Sequence, residues 1–221
     1  LRFHHRQKTH GLLPKEDVTK ANNNPYNLQK GASKSLLLAY KFTGSFIFQI
    51  GESKVFYPEL PENGVLSPIL LDDTELIGLV VNDGVLLLKI VLFNEENDIV
   101  FLVYENELIY TTYQWDVEWK GNGLTIRKDK GKIVLKINFF PPNRVHIVRA
   151  EFLYNGIELH ARDNYLALLN NNIFIKDYSV ESNDPYAFSF GNLYSSIKPV
   201  LHFPHIKRYD INRKNALIYI R

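Results

Sequence analysis

The 221-residue sequence contains no cysteine and no methionine. The absence of cysteine excludes disulfides, thiolate catalysis and zinc sites with cysteine ligands, and it is compatible with either side of a membrane, although the cytoplasm is favoured. No apolar run reaches the roughly 18 residues of a membrane span, because the longest, Val85–Phe93, is interrupted by Lys89. No apolar stretch follows the basic residues Leu1–Arg6, so we expect a soluble chain without a secretory signal there.

Helical periodicity over ten or more residues is also missing, which argues against an α/β doubly wound sheet. Aromatic residues make up 13% of the chain, and Val, Ile, Tyr and Phe dominate the apolar set, as is typical of strands. Strand-like runs separated by turn residues recur about every ten residues. The predicted strands are Leu36–Phe42, Ser45–Ile50, Ser53–Tyr57, Glu75–Val81, Val85–Phe93, Ile99–Tyr104, Leu108–Tyr113, Trp115–Trp119, Leu124–Arg127, Lys132–Phe139, Arg144–Leu153, Ile157–His160, Tyr165–Leu169, Ile173–Ile175, Ala187–Phe190 and Leu217–Ile220.

This pattern predicts a mainly β fold, an antiparallel sandwich or barrel. A β-solenoid is a minority alternative, because the turns recur but the residues that flank them do not align. Lys132–Phe139 alternates as a half-buried strand should. Asn82–Gly84 and Asn155-Gly156 are predicted hairpin turns, with Gly84 and Gly156 at positive φ.

Charge is distributed unevenly along the chain. Residues 1–41 carry +6, residues 42–118 carry −12 and residues 119–221 carry +8. Residues 1–35 are basic and rich in helix and strand breakers, so we predict a largely irregular N-terminal arm before a β-rich domain at 36–221. The asymmetry indicates either an anionic partner for the basic parts or basic ends that fold onto the acidic middle.

Two groups of basic residues are the best candidates for contact with an anion or nucleic acid. Lysine and arginine can neutralise phosphates, and interleaved aromatics such as Tyr209 can stack on bases. A solvated strand face is the competing interpretation. The candidate residues are Arg127, Lys128, Lys130, Lys132 and Lys136 in one group and Lys207, Arg208, Arg213 and Lys214 in the other.

Glu118-Trp119-Lys120 resembles the E-x-K part of metal-dependent nuclease sites. In such a site Glu118 and an upstream Asp98 would hold a divalent cation while Lys120 orients water. Alternating strands often produce this spacing, so Glu118 and Lys120 can equally be solvent-facing residues beside Trp115 and Trp119. His202 and His205 form a weaker candidate for a metal site, since Pro204 between them favours a loop and no third ligand is evident.

No acid/base pair or nucleophile emerges, and no cofactor is expected. The sequence therefore favours a non-catalytic binding or assembly module with a protein or anionic partner, nucleic acid being one candidate. A metal-dependent nuclease or other phosphodiester-directed hydrolase is the alternative. A homo-oligomer is left open, with Trp115 and Trp119 as candidate interface aromatics.

Overall fold

The computed structural model describes residues 44–59, 63–82, 85–111, 115–128, 131–194 and 198–209. The predicted arm at 1–35 and the predicted strands Leu36–Phe42 and Leu217–Ile220 lie outside this range. Within it the chain is nearly all strand, with one 3₁₀ turn at Leu169–Asn171 and no α-helix. The mainly β prediction is therefore confirmed. No helix of the described residues has the length and apolar character needed to cross a membrane.

Seventeen strands follow one another along the described residues. They are β1 (Phe46–Ile50), β2 (Ser53–Tyr57), β3 (Asn63–Leu71), β4 (Thr74–Asn82), β5 (Val85–Phe93), β6 (Ile99–Tyr104), β7 (Glu107–Thr111), β8 (Trp115–Lys120), β9 (Gly123–Lys128), β10 (Lys132–Phe140), β11 (Arg144–Tyr154), β12 (Ile157–Arg162), β13 (Tyr165–Leu168), β14 (Ile173–Ile175), β15 (Ser179–Glu181), β16 (Phe188–Phe190) and β17 (Leu201–Phe203).

The strands form two mixed sheets that pack together like a sandwich and do not close into a barrel over the described residues. Sheet A has the order β17-β16-β3-β4-β5-β6-β7. Sheet B runs β8-β9-β10-β11, and the far edge of β11 then pairs with β1 over its first half and with β12 over its second. From there sheet B continues as two branches, β1-β2-β15 and β12-β13-β14.

Most ladders are antiparallel, as predicted, but four are parallel: β1 with β11, β2 with β15, β3 with β16, and β16 with β17. The strands of these pairs are far apart in sequence, except β16 and β17. A parallel pair requires a crossover connection, so no local turn signal announces it. The sequence pattern could therefore not reveal these four ladders.

One continuous apolar core lies between the sheets. Its largest fully buried side chains include Phe46, Phe48, Phe101, Phe152 and Phe188. Each such side chain contributes roughly 1.5–3 kcal/mol when it is removed from water. Because strand side chains alternate between faces, the residues between these core positions point to the outer side of each sheet.

Strand β3 was not predicted from the sequence, and it contains Pro68. Proline has no N–H to give to a ladder and is tolerated at bulges. The pairing of β3 with β4 shifts between Leu66 and Ile69, which places Ser67 and Pro68 in such an irregularity. The buried Ser67 hydroxyl donates to the Ile77 carbonyl at 2.9 Å, so a side chain supports the bulge.

The two predicted hairpins are present. Asn155 and Gly156 connect β11 to β12 with φ of 51° and 76°, and the positive φ of Gly156 is confirmed. Asn82 pairs with Val85 across β4 and β5, as a two-residue turn requires. Asp83 and Gly84 themselves lie outside the described residues.

Candidate anion-binding face

Basic side chains gather on the outer side of sheet B across β10, β11 and β12. Lys136 on β10 pairs directly with Arg149 on β11. On the other edge of β11, Ala150 pairs with Ala161 of the antiparallel strand β12. Arg149 precedes Ala150 and Arg162 follows Ala161, so the two arginines are neighbours on adjacent strands. We call Lys132, Lys136, Arg149 and Arg162 the basic face.

A β-bulge gives Arg149 its outward direction. Lys136 pairs with Arg149 but the next residue of β10, Ile137, pairs with Ile147, so Val148 is the extra residue on β11. The bulge shifts the alternation by one residue. Ile147 and Ala150 are consequently both fully buried, while Arg149 and Glu151 point outward.

The carboxylate of Glu151 organises the basic face. Its Oε1 accepts from Nη2 of Arg149 at 3.0 Å and from Nη2 of Arg162 at 2.9 Å, and its Oε2 lies 3.3 Å from Nζ of Lys132. The Glu151 side chain is only 15% exposed, whereas Arg149 and Lys132 are 39% and 64% exposed. One carboxylate thus meets three cations, and positive charge remains in excess at the solvent boundary.

The surroundings of Glu151 shift its pKa in opposing directions. Burial is the largest influence and raises the pKa, but hydrogen bonds from Arg149 and Lys132 and the charges of Lys132 and Arg162 together outweigh it. The net pKa of Glu151 is lower than usual, so the carboxylate stays ionised. The ionised carboxylate holds Arg149, Arg162 and Lys132 in place.

Arg162 is fixed more firmly than the other cations of the basic face. Its Nη1 donates to the carbonyls of Ala150 and Ala161, and its Nη2 also meets Nδ1 of His160 at 2.9 Å. Because a guanidinium can only donate, Nδ1 of His160 accepts, and Nε2 then donates to Glu158 at 2.6 Å. This series of hydrogen bonds fixes Arg162, which in turn supports Glu151. Lys132, Lys136 and Arg149 remain as the groups of the basic face that could turn toward a ligand.

Two aromatic side chains continue the outer side of sheet B beyond Arg162. Tyr165 on β13 pairs with Arg162, and Phe174 on β14 pairs with Ala167 of β13. Their ring centroids are 5.8 Å apart in an edge-to-face arrangement. Phe174 is 51% exposed, and Nζ of Lys176 lies 5.9 Å from its ring centroid.

The first basic group predicted from the sequence is divided by the structure. Lys132 and Lys136 belong to the basic face. Arg127, on β9, donates to Asp116 at 2.8 Å and to Glu118 at 2.6 Å, so two carboxylates already neutralise it. Lys128 ends β9 in an exposed position, and Lys130 lies outside the described residues.

The second predicted basic group includes a residue with a structural role. Both terminal nitrogens of Arg208 donate to Asp72, at 2.5 and 2.6 Å. Asp72 is 3% exposed at its side chain and also accepts from Asn155 and from the backbone of Asn192. We call Asp72, Asn155, Asn192 and Arg208 the Asp72 latch, because it ties four separate segments of the chain together.

The other residues of the second group do not add to the latch. The backbone of Lys207 is held by Asn170 and Asn171 of the 3₁₀ turn, and its side chain reaches solvent. Arg213 and Lys214 lie outside the described residues. Tyr209 is 47% exposed, and its backbone N–H donates to the Gly156 carbonyl.

The nuclease candidates occupy separate places. Asp98 lies in the turn before β6 of sheet A, where its N–H donates to Asn94 Oδ1 at 2.8 Å. Glu118 and Lys120 are exposed on β8 of sheet B, with Glu118 bound to Arg127. Trp115 and Trp119 turn inward from β8, and their rings pack at a tilt against Phe101 and Phe139 respectively.

The two histidines of the weaker metal-site candidate also lie in different kinds of segment. His202 lies within β17, not in the loop expected from Pro204, and its Nδ1 is 3.3 Å from the Ser189 hydroxyl. His205 follows in an irregular, exposed segment. Across the part of the chain that the structure describes, no three His, Asp or Glu side chains form a group able to hold a metal ion.

Sequence reasoning missed Arg149, Arg162, Tyr165 and Phe174. A partial signal was present, since Arg149 and Glu151 stand among apolar residues that line a predicted strand. The bulge at Val148 breaks the simple alternation, and only the sheet order shows that β10, β11 and β12 are neighbours.

Comparison of the chain with protein-family models, with curated proteins and with solved structures finds no match in any of the three.

Proposed function

We propose that this protein is a non-catalytic binding module whose basic face takes an anionic partner. The observation that supports the proposal is the convergence of Lys132, Arg149 and Arg162 on one buried carboxylate, with Lys136 beside Arg149. Arginine forks and lysine ammonium groups are the usual protein partners of phosphate and sulfate oxygens.

The basic face is suited to a ligand that spreads its charge over several groups. Adjacent strands lie about 4.8 Å apart, so cations on β10 and β11 can each meet a different anionic group of one polymer. Glu151 holds Arg149, Arg162 and Lys132 in place before binding. Such preorganisation reduces the entropy lost when a ligand binds.

Charge removal on and off the basic face provides the test. The double variant Lys136→Gln/Arg149→Gln removes two positive charges from the basic face. Its control, Lys198→Gln/Lys207→Gln, removes two exposed charges elsewhere and includes a residue of the second predicted basic group. Isothermal titration calorimetry with inorganic polyphosphate at low ionic strength measures the affinity, and thermal unfolding verifies that both variants are folded.

We expect the basic-face variant to bind polyphosphate about tenfold more weakly or worse, because each charged hydrogen bond contributes roughly 1.5–3 kcal/mol. The control should bind as the unmodified protein does, and the unmodified protein should lose affinity as salt is added. Equal weakening of both variants, or no binding at low ionic strength, would contradict the proposal.

A further inference from the structure

An aromatic pair with one exposed ring, Phe174, adjoins the basic face. Phe174 is 51% exposed on the outer side of β14, an edge strand, and its ring meets Tyr165 edge to face. Burial of aromatic rings is a large source of stability, yet here the inward-facing neighbours of Phe174, Ile173 and Ile175, contribute to the core while Phe174 does not. The position of this ring points to an external contact.

The register connects this ring to the cations. Phe174 pairs with Ala167, Ala167 pairs with His160, and His160 pairs with Glu151. These residues form one row on the outer side of sheet B, across four adjacent strands. With strands about 4.8 Å apart, the ring lies about 14 Å from the strand that carries Glu151.

One cation outside the basic face lies close to the Phe174 ring. Lys176 Nζ is 5.9 Å from the Phe174 centroid, so an ammonium group is available beside the aromatic surface as well as on the basic face. Cations that follow a path next to exposed rings are the arrangement by which proteins hold unpaired nucleotides, with phosphates on the cations and bases on the rings.

We propose that the anionic partner is a single-stranded nucleic acid, with its phosphates on Lys136 and Arg149 and a base stacked on Phe174. This inference rests on the proposed function and specifies its ligand. A flat aromatic ring can stack only on a base that is not already stacked within a duplex. Inorganic polyphosphate, which has no ring to stack, would use the cations alone and gain nothing from Phe174.

The experiment separates the ring from the charges. Phe174→Leu keeps an apolar side chain on β14 and removes the aromatic ring. Tyr104→Leu, at a 40% exposed position on β6 of sheet A, is the matched control. Fluorescence anisotropy measures binding of a labelled oligothymidylate, of the same strand paired in a duplex, and, by competition, of inorganic polyphosphate.

We expect Phe174→Leu to bind oligothymidylate about tenfold more weakly, since stacking of one base contributes roughly 1–3 kcal/mol. Its affinity for polyphosphate should not change, and Tyr104→Leu should behave as the unmodified protein. The single strand should bind more tightly than the duplex. Its log affinity should fall against log salt with a slope of roughly −1.4, for the two phosphates neutralised by Lys136 and Arg149 at about 0.7 each.

The outcomes distinguish this inference from the proposed function. If polyphosphate binds through Lys136 and Arg149 while oligothymidylate binding is indifferent to Phe174→Leu, the single-strand inference is wrong and the anion-binding proposal stands. Duplex binding as tight as single-strand binding would also overturn it. If neither ligand binds at low ionic strength, both proposals are wrong.

Discussion

Glu151 is the residue on which the basic face depends. Cations placed side by side repel one another, and here a single carboxylate with a depressed pKa offsets that repulsion. Because Glu151 is mostly buried, water screens these interactions less than it would at an open surface. Removal of its charge should therefore be measurable as a change in stability.

Glu151→Gln should make stability less dependent on pH. The pKa of Glu151 is lowered in the folded protein, so its stabilisation is present above the unfolded-state pKa of about 4.3 and is lost as the pH falls through the folded-state pKa. At pH 7 we expect the variant to have a free energy of unfolding lower by about 1–3 kcal/mol. This difference should shrink as the pH falls below about 4.

Urea unfolding followed at a series of pH values measures this difference. Glu181→Gln, which neutralises an exposed carboxylate on β15, is the control and should change stability little at any pH. A gap between wild type and Glu151→Gln that stays constant down to pH 3, or no gap at pH 7, would show that Glu151 does not organise the basic face.

Elements that carry a local pattern were predictable from sequence. Val85–Phe93 and Ile173–Ile175 were predicted with the bounds that the structure gives. Strands β15 and β17 were missed because each has three residues and exists through a parallel pairing that local sequence does not reveal. The same limit applies to the site: Lys132 and Lys136 were candidates, but their partners on β11 and β12 depend on the sheet order.

The Asp72 latch connects elements that no local signal relates. Asp72 lies in the turn between β3 and β4, Asn155 in the turn between β11 and β12, and Arg208 in the segment after β17. Asp72 and Asp73 have φ of 46° and 61°, which Asp tolerates better than most residues. The sequence shows two acidic residues at a turn, but it does not show that one of them is buried and paired.

Gly191→Ala should break the latch. Gly191 has φ of +93°, and a Cβ there would lie 2.2 Å from Asp72 Oδ1 and 2.8 Å from Ile157. We expect a loss of about 3–5 kcal/mol, from backbone strain and from disrupted hydrogen bonds to a charged group. Chemical denaturation measures this loss.

Gly131 provides a matched control, because its φ is +95° and nothing lies within 4 Å of a Cβ built there. Gly131→Ala should cost only the strain of the backbone, about 1–2 kcal/mol. Equal losses at the two glycines would mean that the contacts around Asp72 contribute nothing beyond backbone strain.

At the scale of the whole molecule, two mixed sheets enclose one core, and the outer side of sheet B carries the exposed side chains of Lys132 and Arg149. The net charge of +2 is modest, so attraction of an anion depends on where the charges lie and not on their sum. The basic residues closest in sequence do not all contribute, since Arg127 is neutralised by Asp116 and Glu118. The folded structure therefore determines which cations are neutralised by carboxylates and which contribute to the excess positive charge of the basic face.

The most direct test of the central claim is to map where an anion binds. Two-dimensional amide NMR spectra of the protein, titrated with inorganic polyphosphate at low ionic strength, report the environment of each assigned backbone N–H. The account predicts that the largest shifts cluster on β10, β11 and β12 around Lys136, Arg149 and Arg162, and that they reverse when salt is added. Shifts concentrated in sheet A or around Lys207, or a spectrum that polyphosphate leaves unchanged, would contradict it.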